Sequence, residues 1–263
     1  MPPARRGFLK RQGIFMHKTS KRRRKNQHKL YVTGMIVAAV ILCAALTMML
    51  LAHFGIFSGK DSGVQDNGLG RIDLHQEKTE SLGYGLQLEA VGRYTGLYIE
   101  DGSNDTVSDV MMIKVKNTAD KDLQLARISL TYSDFTAEFE LTNIPAGRTV
   151  VVLEKNRHAY SDQNYLSFQL SDVAQFSEQM DVPTEIYHIS GLKGTINLEN
   201  RCDKDISGDI YVYYKYIADD ILYGGITFRA KISGGISAGQ IKQVASSHFD
   251  PQQCIVLAIT DGA

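Results

Sequence analysis

Hydrophobic residues follow two different patterns along this chain of 263 residues. Residues 31–54 contain no Asp, Glu, Lys or Arg, and within residues 35–51 only Thr47 is polar. A helix of this length would extend about 36 Å, and the hydrocarbon core of a bilayer is about 30 Å thick. A buried helix in a soluble domain would carry a polar face, which this segment lacks. We therefore predict one transmembrane helix at residues 31–54.

The charges on either side of this segment predict its orientation. Residues 1–29 hold eleven of the 29 basic residues and none of the 29 acidic residues, so residues 30–263 are strongly acidic. Positive charge is retained on the cytoplasmic side, so we expect a cytoplasmic N-terminus and an extracytoplasmic C-terminus. A cleaved signal peptide would have a shorter apolar stretch, of about 7–15 residues, and a small-x-small site. The predicted location is the plasma membrane, crossed once.

A run of basic residues precedes the predicted span. We expect these side chains to contact lipid headgroups, at about 1 kcal/mol per basic residue near an anionic surface. They are Lys21, Arg22, Arg23, Arg24 and Lys25. Nucleic-acid binding is not expected, because no aromatic interleaving or folded motif accompanies the run. Met16 is an alternative start, since residues 16–29 alone form an ordinary basic flank.

Beyond residue 82 the pattern changes to alternation. In residues 135–141 and 226–232, apolar side chains occupy every second position and polar ones the positions between. This period of two predicts strands with one buried and one wet face. Many short strands separated by turns are typical of antiparallel sandwiches, so we expect a mainly β ectodomain. The Gly-rich polar residues 58–82 before it predict a flexible stalk.

The second half of the ectodomain repeats signals of the first. Asn117 opens an Asn-x-x-Asp-Lys-Asp element that reappears at Asn200. Each element is followed by an alternating strand, which ends at Tyr132 in the first copy and Tyr214 in the second. The shared order predicts two copies of one β unit, with chance similarity as the alternative. The expected order is basic tail, span, stalk and two repeats, at residues 1–29, 31–54, 58–82, 83–182 and 185–263.

The pattern within each copy resembles the Ig-like sandwich repeats of bacterial membrane-anchored envelope proteins. Those modules run from a strand through Asn and a short polar turn to a strand ending in Tyr, with a later turn marked by Pro or Gly. The matching residues are Asn117, Tyr132, Pro145 and Gly147, then Asn200, Tyr214 and Gly239. The resemblance implies architecture only: two tandem Ig-like antiparallel β-sandwich repeats. Trp and an antibody-type Cys pair are absent from the sequence.

Three cysteines are too few for a disulfide scaffold. Cys43 lies in the predicted span, whereas Cys202 and Cys254 lie outside, where oxidation is chemically permitted. Cys202 follows the first strand of the second copy, and Cys254 opens its last strand. If the chain crosses the sandwich once per strand, the two lie at opposite ends, so we expect no disulfide between them.

Motifs that carry chemistry are sparse. The sequence has no nucleophile elbow, zinc-protease, Walker or paired C-x-x-C motif, and we expect no cofactor. One acidic loop has oxygen ligands at a spacing that suits calcium, although Thr106 and Met112 break the EF-hand pattern. The candidate ligands are Asp101, Asn104, Asp105 and Asp109. A solvated polar loop is the alternative interpretation.

Tyr211 and Tyr213 are candidate binding residues. The alternation predicts that Ile210, Val212 and Tyr214 face inward, which sends the two tyrosines to the opposite face. Exposed aromatic side chains can mark a contact surface for a protein or a glycan. Cross-strand packing within the sheet is the alternative interpretation.

With no reactive constellation, we expect a non-enzymatic, membrane-tethered module that binds or scaffolds an envelope or membrane protein or a glycan. An accessory or sensory subunit of a membrane complex is the alternative. Small residues in the span, such as Gly34 and Ala38, would permit the close helix contacts that such a subunit needs. A membrane-tethered hydrolase is a third possibility. It would require His158, near Ser161 and Asp162, or His248 to be catalytic.

Overall fold

The computed structural model describes residues 64–66 and 68–262, and this part of the chain is built of strands without a helix. The prediction of a mainly β fold for these residues is therefore confirmed. The strands are β1 (Val64–Asp66), β2 (Gly70–Gly83), β3 (Leu86–Leu97), β4 (Thr106–Asn117), β5 (Leu123–Thr131), β6 (Thr136–Ile144), β7 (Thr149–Leu153), β8 (Ser167–Gln175), β9 (Tyr187–Leu192), β10 (Thr195–Asn200), β11 (Asp209–Ala218), β12 (Ile221–Ile232), β13 (Ile241–Ala245) and β14 (Cys254–Gly262). The predicted basic tail and span lie outside the described residues, within which no helix is long and apolar enough to cross a membrane.

Eight strands form one long sheet in the order β1-β2-β3-β4-β7-β12-β11-β14, accompanied by two three-stranded sheets, β13-β10-β9 and β6-β5-β8. We call β3–β8 the first set and β9–β14 the second set, because their strand orders correspond. The pairings β3-β4-β7 and β6-β5-β8 are matched by β9-β10-β13 and β12-β11-β14. Each set gives three strands to the long sheet, and the two halves meet where β7 and β12 run parallel.

The two small sheets cover opposite faces of the long sheet. On β7, Val150 and Val152 join a core with side chains of β5 and β6, whereas Val151 and Leu153 join a core on the other face. The core beneath β9 and β10 is continuous with this second core through Phe228. Because β7 is buried on both faces, it reads as an unbroken apolar run rather than an alternating one.

The two Asn-x-x-Asp-Lys-Asp elements fold alike. Asn117 Nδ2 donates to the carbonyl oxygens of Ile144 and of the residue four positions on, both at 3.0 Å. Asn200 Nδ2 makes the equivalent bonds to Ile236 at 3.0 Å and to the residue four positions on at 2.8 Å. Each side-chain oxygen accepts the N–H of the residue two positions on. Both asparagines are buried, so these bonds satisfy backbone polar groups of the turn that water cannot reach.

Lys215 and Glu100 fill a gap in the ladder beside the junction of the two sets. A bulge opposite Lys215 leaves residues 224–226 of β12 without strand partners. Lys215 is fully buried, and its Nζ donates to all three carbonyls at 2.6–2.9 Å. Glu100 accepts N–H groups from Leu153 of β7 and from the same stretch of β12. Burial raises the pKa of Glu100, and burial lowers the pKa of Lys215 to about 7.

The predicted stalk at residues 58–82 is wrong from Gly70 onward, because those residues form β2 and pair with β3. Ile72 and Leu82 of this strand are buried. The register shifts at three places along β2, so its buried side chains do not follow the period of two. For that reason the strand has the polar, irregular pattern of a linker in the sequence.

Candidate functional site

The outer face of β11 carries the two predicted binding residues. Ile210, Val212 and Tyr214 are buried in the core beneath the sheet, while Tyr211 and Tyr213 are half-buried on the opposite face. The predicted orientation of the strand is therefore confirmed. The two rings lie on the same side of the long sheet as the small sheet β6-β5-β8.

Two basic side chains of β12 stand beside Tyr211. The guanidinium carbon of Arg229 lies 5.0 Å from the centre of the ring, and Lys231 Nζ lies 5.9 Å from it. Lys231 also pairs with Asp209 at 2.6 Å, whereas Arg229 has no acidic partner within ion-pair distance among the described residues. An exposed cation–π contact is worth about 0.5–1 kcal/mol. The result is a locally basic aromatic patch on a chain whose residues 30–263 are acidic overall.

The first set shows that this sheet position does not require aromatic residues. Tyr211 pairs with Lys231, and the corresponding residue of β5, Ser129, pairs with Glu138. Tyr213 likewise corresponds to Thr131, since both are the outward residues that follow next along their strands. Small polar side chains fill the same place in the first set, so the tyrosines are a property of the second set and not of the fold.

A groove of about 520 Å³ lies beside Tyr213, where the sheet β6-β5-β8 gives way to the outer face of β11 and β14. Gln124 of β5 and Asn143 of β6 line it together with residues 176–181, which connect the two sets. The connection is fixed to the edge of β14, because the N–H of Ile259 donates to the Asp181 carbonyl at 3.0 Å. The groove therefore combines residues from both sets.

Several polar groups of this groove are free to bind a ligand. The side chains of Gln124, Asn143, Gln179, Tyr213 and Thr260 form no hydrogen bond with any other described residue. Asn143 also has a φ of 51°, an uncommon left-handed conformation within a strand. Such local strain is concentrated at binding sites. The alternation of the sequence identifies the tyrosines but gives no signal for the groove, which forms only when the two sets meet.

A second cavity, of about 470 Å³, has polar walls in which Arg93, Asp73 and Asp109 are already paired with one another. Arg93 donates through Nε and Nη2 to Asp73 Oδ2, at 3.1 and 2.9 Å, and lies 3.6 Å from Asp109. The hydrogen bond from Arg93 lowers the pKa of Asp73. His75 pairs with the same carboxylate at 3.3 Å. These internal ion pairs leave this cavity less capable of holding a ligand than the groove beside Tyr213.

Three of the four predicted calcium ligands are paired with two arginines. Asp101 and Asp105 both pair with Arg157 Nη2, at 2.7 and 3.2 Å, whereas Asp109 faces Arg93. Asn104 is exposed and contacts neither arginine. Within the described residues, no three His, Cys, Asp or Glu side chains are grouped to hold a metal ion. A guanidinium, not an open oxygen cage, thus lies between Asp101 and Asp105.

The two histidines considered for hydrolysis lie in separate structural settings. His158 Nδ1 is 3.3 Å from the buried carboxylate of Glu154, and its ring packs near Phe135. His248 stacks on Phe228, with ring centres 4.6 Å apart. In the part of the chain that the structure describes, no hydroxyl or thiol is hydrogen-bonded to either imidazole, as a nucleophile–base pair would require.

The outer face of β11 and its adjoining groove therefore combine two half-buried rings, a cation without an acidic partner and free hydrogen-bonding groups at one place. This arrangement can bind a ligand by stacking and hydrogen bonding, without any covalent step. Comparisons with protein families, with curated proteins and with solved structures find no match to this chain.

Proposed function

We propose that this protein is a non-enzymatic module, tethered to the plasma membrane by residues 31–54, that binds a component of the cell envelope. The observation that carries the proposal is the pair of tyrosines on β11, beside a groove in which five polar side chains have no internal hydrogen-bond partner. The tether is supported by the charge-free apolar segment and by the basic residues that precede it. The binding face would then be on the extracytoplasmic side.

We further propose that the two sets of strands are copies of one Ig-like sandwich. Their identical pairing order and the matching hydrogen bonds of Asn117 and Asn200 support this duplication. In this interpretation the copies are not independent domains joined by a linker, because β7 and β12 join them into one sheet. A rigid junction would keep the groove between them in one shape, which favours a binding role.

The orientation is tested by thiol labelling of intact cells. In a variant in which all three native cysteines are replaced by Ser, Ser20→Cys or Ser81→Cys is introduced singly. Ser81 is exposed on β2, so Ser81→Cys should react with an impermeant maleimide, and Ser20→Cys should react only after lysis. Labelling of Ser20→Cys in intact cells would show that the predicted orientation is wrong, and it would contradict the proposal of an extracytoplasmic binding face.

The binding role is tested with the full chain in detergent and with envelope fragments from the source cells. Wild-type protein should co-sediment with the fragments, and the double variant Tyr211→Ser, Tyr213→Thr should bind at least tenfold more weakly. These replacements correspond to Ser129 and Thr131 of the first set, so they should preserve the fold. Equal sedimentation of both proteins would contradict a role for this face.

A further inference from the structure

We infer that the ligand of this face is a hydroxyl-rich glycan strand, an inference that depends on the proposed binding function and names its ligand class. A sugar ring has an apolar face of C–H groups and a rim of hydroxyl groups. A site for it needs an apolar or aromatic surface bordered by donors and acceptors. The following features of the groove meet both requirements.

The surface beside Tyr213 has the required amphipathic character. Ala258, which pairs with Tyr213 across the strands, is buried at the groove, and with the Tyr213 ring it gives the groove an apolar base. The amides of Gln124 and Gln179 supply donors and acceptors at the rim, and neither is engaged elsewhere in the described structure. An amide both donates and accepts, as does a sugar hydroxyl, so the two can pair in either direction.

The tyrosines extend this surface beyond the groove. Tyr211 lies two residues before Tyr213 on the same face, about 7 Å away along the strand. Its ring is outside the groove and is flanked by Arg229 and Lys231. A ligand that uses both rings must therefore be longer than the groove, as a linear chain of sugars is. The basic side chains would donate hydrogen bonds to its hydroxyl groups.

A protein partner fits this surface less well. Stable protein interfaces bury about 1,200–2,000 Å² and have a core of large apolar or aromatic anchors. The large hydrophobic residues that are exposed in the described structure lie elsewhere and do not line the groove. They are Tyr84, Leu166, Leu192 and Ile241. The apolar side chains that do line the groove, Phe176, Met180 and Pro183, are half-buried, so the groove is amphipathic and lacks the large exposed anchors expected of a protein contact.

The test uses the full chain in detergent and two preparations of the source-cell envelope. One preparation is intact, and the other is glycan freed of protein by boiling in SDS and protease treatment. Wild-type protein should co-sediment with the stripped glycan. The double variant Tyr211→Ser, Tyr213→Thr should bind it at least tenfold more weakly, while Ser129→Ala, Thr131→Ala should bind like wild type.

The outcomes separate this inference from the proposed function. Tyrosine-dependent binding to intact envelope but not to stripped glycan would overturn the glycan ligand and leave the binding function standing. If the double variant binds the intact envelope and the stripped glycan as strongly as wild type, both the glycan inference and the proposed binding function are overturned. Gln179→Ala removes one exposed rim amide without touching the core, and it should weaken glycan binding severalfold. If it binds the stripped glycan like wild type while the double variant does not fold, the inference fails.

Discussion

Glu100 and Lys215 bind the two polar groups of one residue, Gly225. The Gly225 N–H donates to Glu100 Oε2 at 2.9 Å, and its carbonyl oxygen accepts from Lys215 Nζ at 2.9 Å. A Cβ at this position would lie 1.7 Å from the Glu140 carbonyl oxygen of β6, so only glycine fits. The junction of the two sets therefore depends on two buried charges that replace the missing strand ladder.

Removing the ammonium group should weaken the fold. Lys215→Met removes the donor to three carbonyl oxygens and the nearby cation whose charge favours the Glu100 carboxylate, and we expect a loss of about 3–5 kcal/mol. Urea unfolding followed by circular dichroism measures the difference. Lys242→Met is the matched control, since Lys242 bonds two carbonyls at an exposed site. A loss as small as that of the control would show that the buried ammonium contributes little.

The same lysine predicts a pH dependence of stability. Its pKa is lowered by burial to about 7 in the folded chain, against an ordinary value of 10.5. The folded state therefore binds this proton more weakly, and the resulting penalty is complete below pH 7 and disappears as pH rises toward 10.5. We expect the stability of wild type relative to Lys215→Met to increase between pH 7 and 9.5. A constant difference would mean that the carbonyl cage keeps the ammonium charged.

Asn117 and Asn200 should be equally important for stability. Asn117→Ala and Asn200→Ala each remove bonds to two carbonyls and one N–H in a buried turn. Unsatisfied buried groups cost about 1–3 kcal/mol each, so each variant should lose at least about 2 kcal/mol. Asn197→Ala is the control, because its one side-chain bond, from Gln243, is exposed. A large loss for only one of the two buried asparagines would argue against equivalent turns.

The start of the folded region is a fourth test. A fragment of residues 62–263 should give a β spectrum and a cooperative melt. A fragment of residues 81–263 lacks most of β2 and the buried side chains of Leu69 and Ile72. Full burial of such a side chain is worth about 1.5–3 kcal/mol, so the shorter fragment should lose at least about 3 kcal/mol. Equal melting temperatures would show that β2 is dispensable.

The sequence predicts those features that depend on local period and turn chemistry. The alternation on β11 correctly orients Tyr211 and Tyr213, and the Asn-x-x-Asp-Lys-Asp elements at Asn117 and Asn200 mark equivalent turns. It does not predict the parallel contact of β7 with β12 or the burial of Lys215, because both arise from pairing between distant strands. An isolated lysine in an aromatic strand carries no local signal that its charge will be enclosed.

Cys202 and Cys254 are both free thiols, and the strand order explains why they should remain unpaired. Cys202 lies in the turn closed by Asn200, next to the start of β11, where its N–H donates to Asn200 Oδ1. Cys254 pairs with Tyr216 near the other end of β11. The seven residues from Ile210 to Tyr216 span about 20 Å, whereas bridged Cα atoms lie about 4.4–6.8 Å apart.

The two thiols should also differ in reactivity. Burial raises the pKa of Cys254 to about 11, and its Sγ donates to the carbonyl oxygen of His248. Because the thiolate is the reactive form, Cys254 should be alkylated much more slowly than Cys202 by iodoacetamide at pH 8. Non-reducing mass spectrometry of the purified protein, after timed alkylation, measures both properties. A Cys202–Cys254 linked peptide at high occupancy would contradict the strand order, and faster labelling of Cys254 would contradict its half-buried, hydrogen-bonded setting.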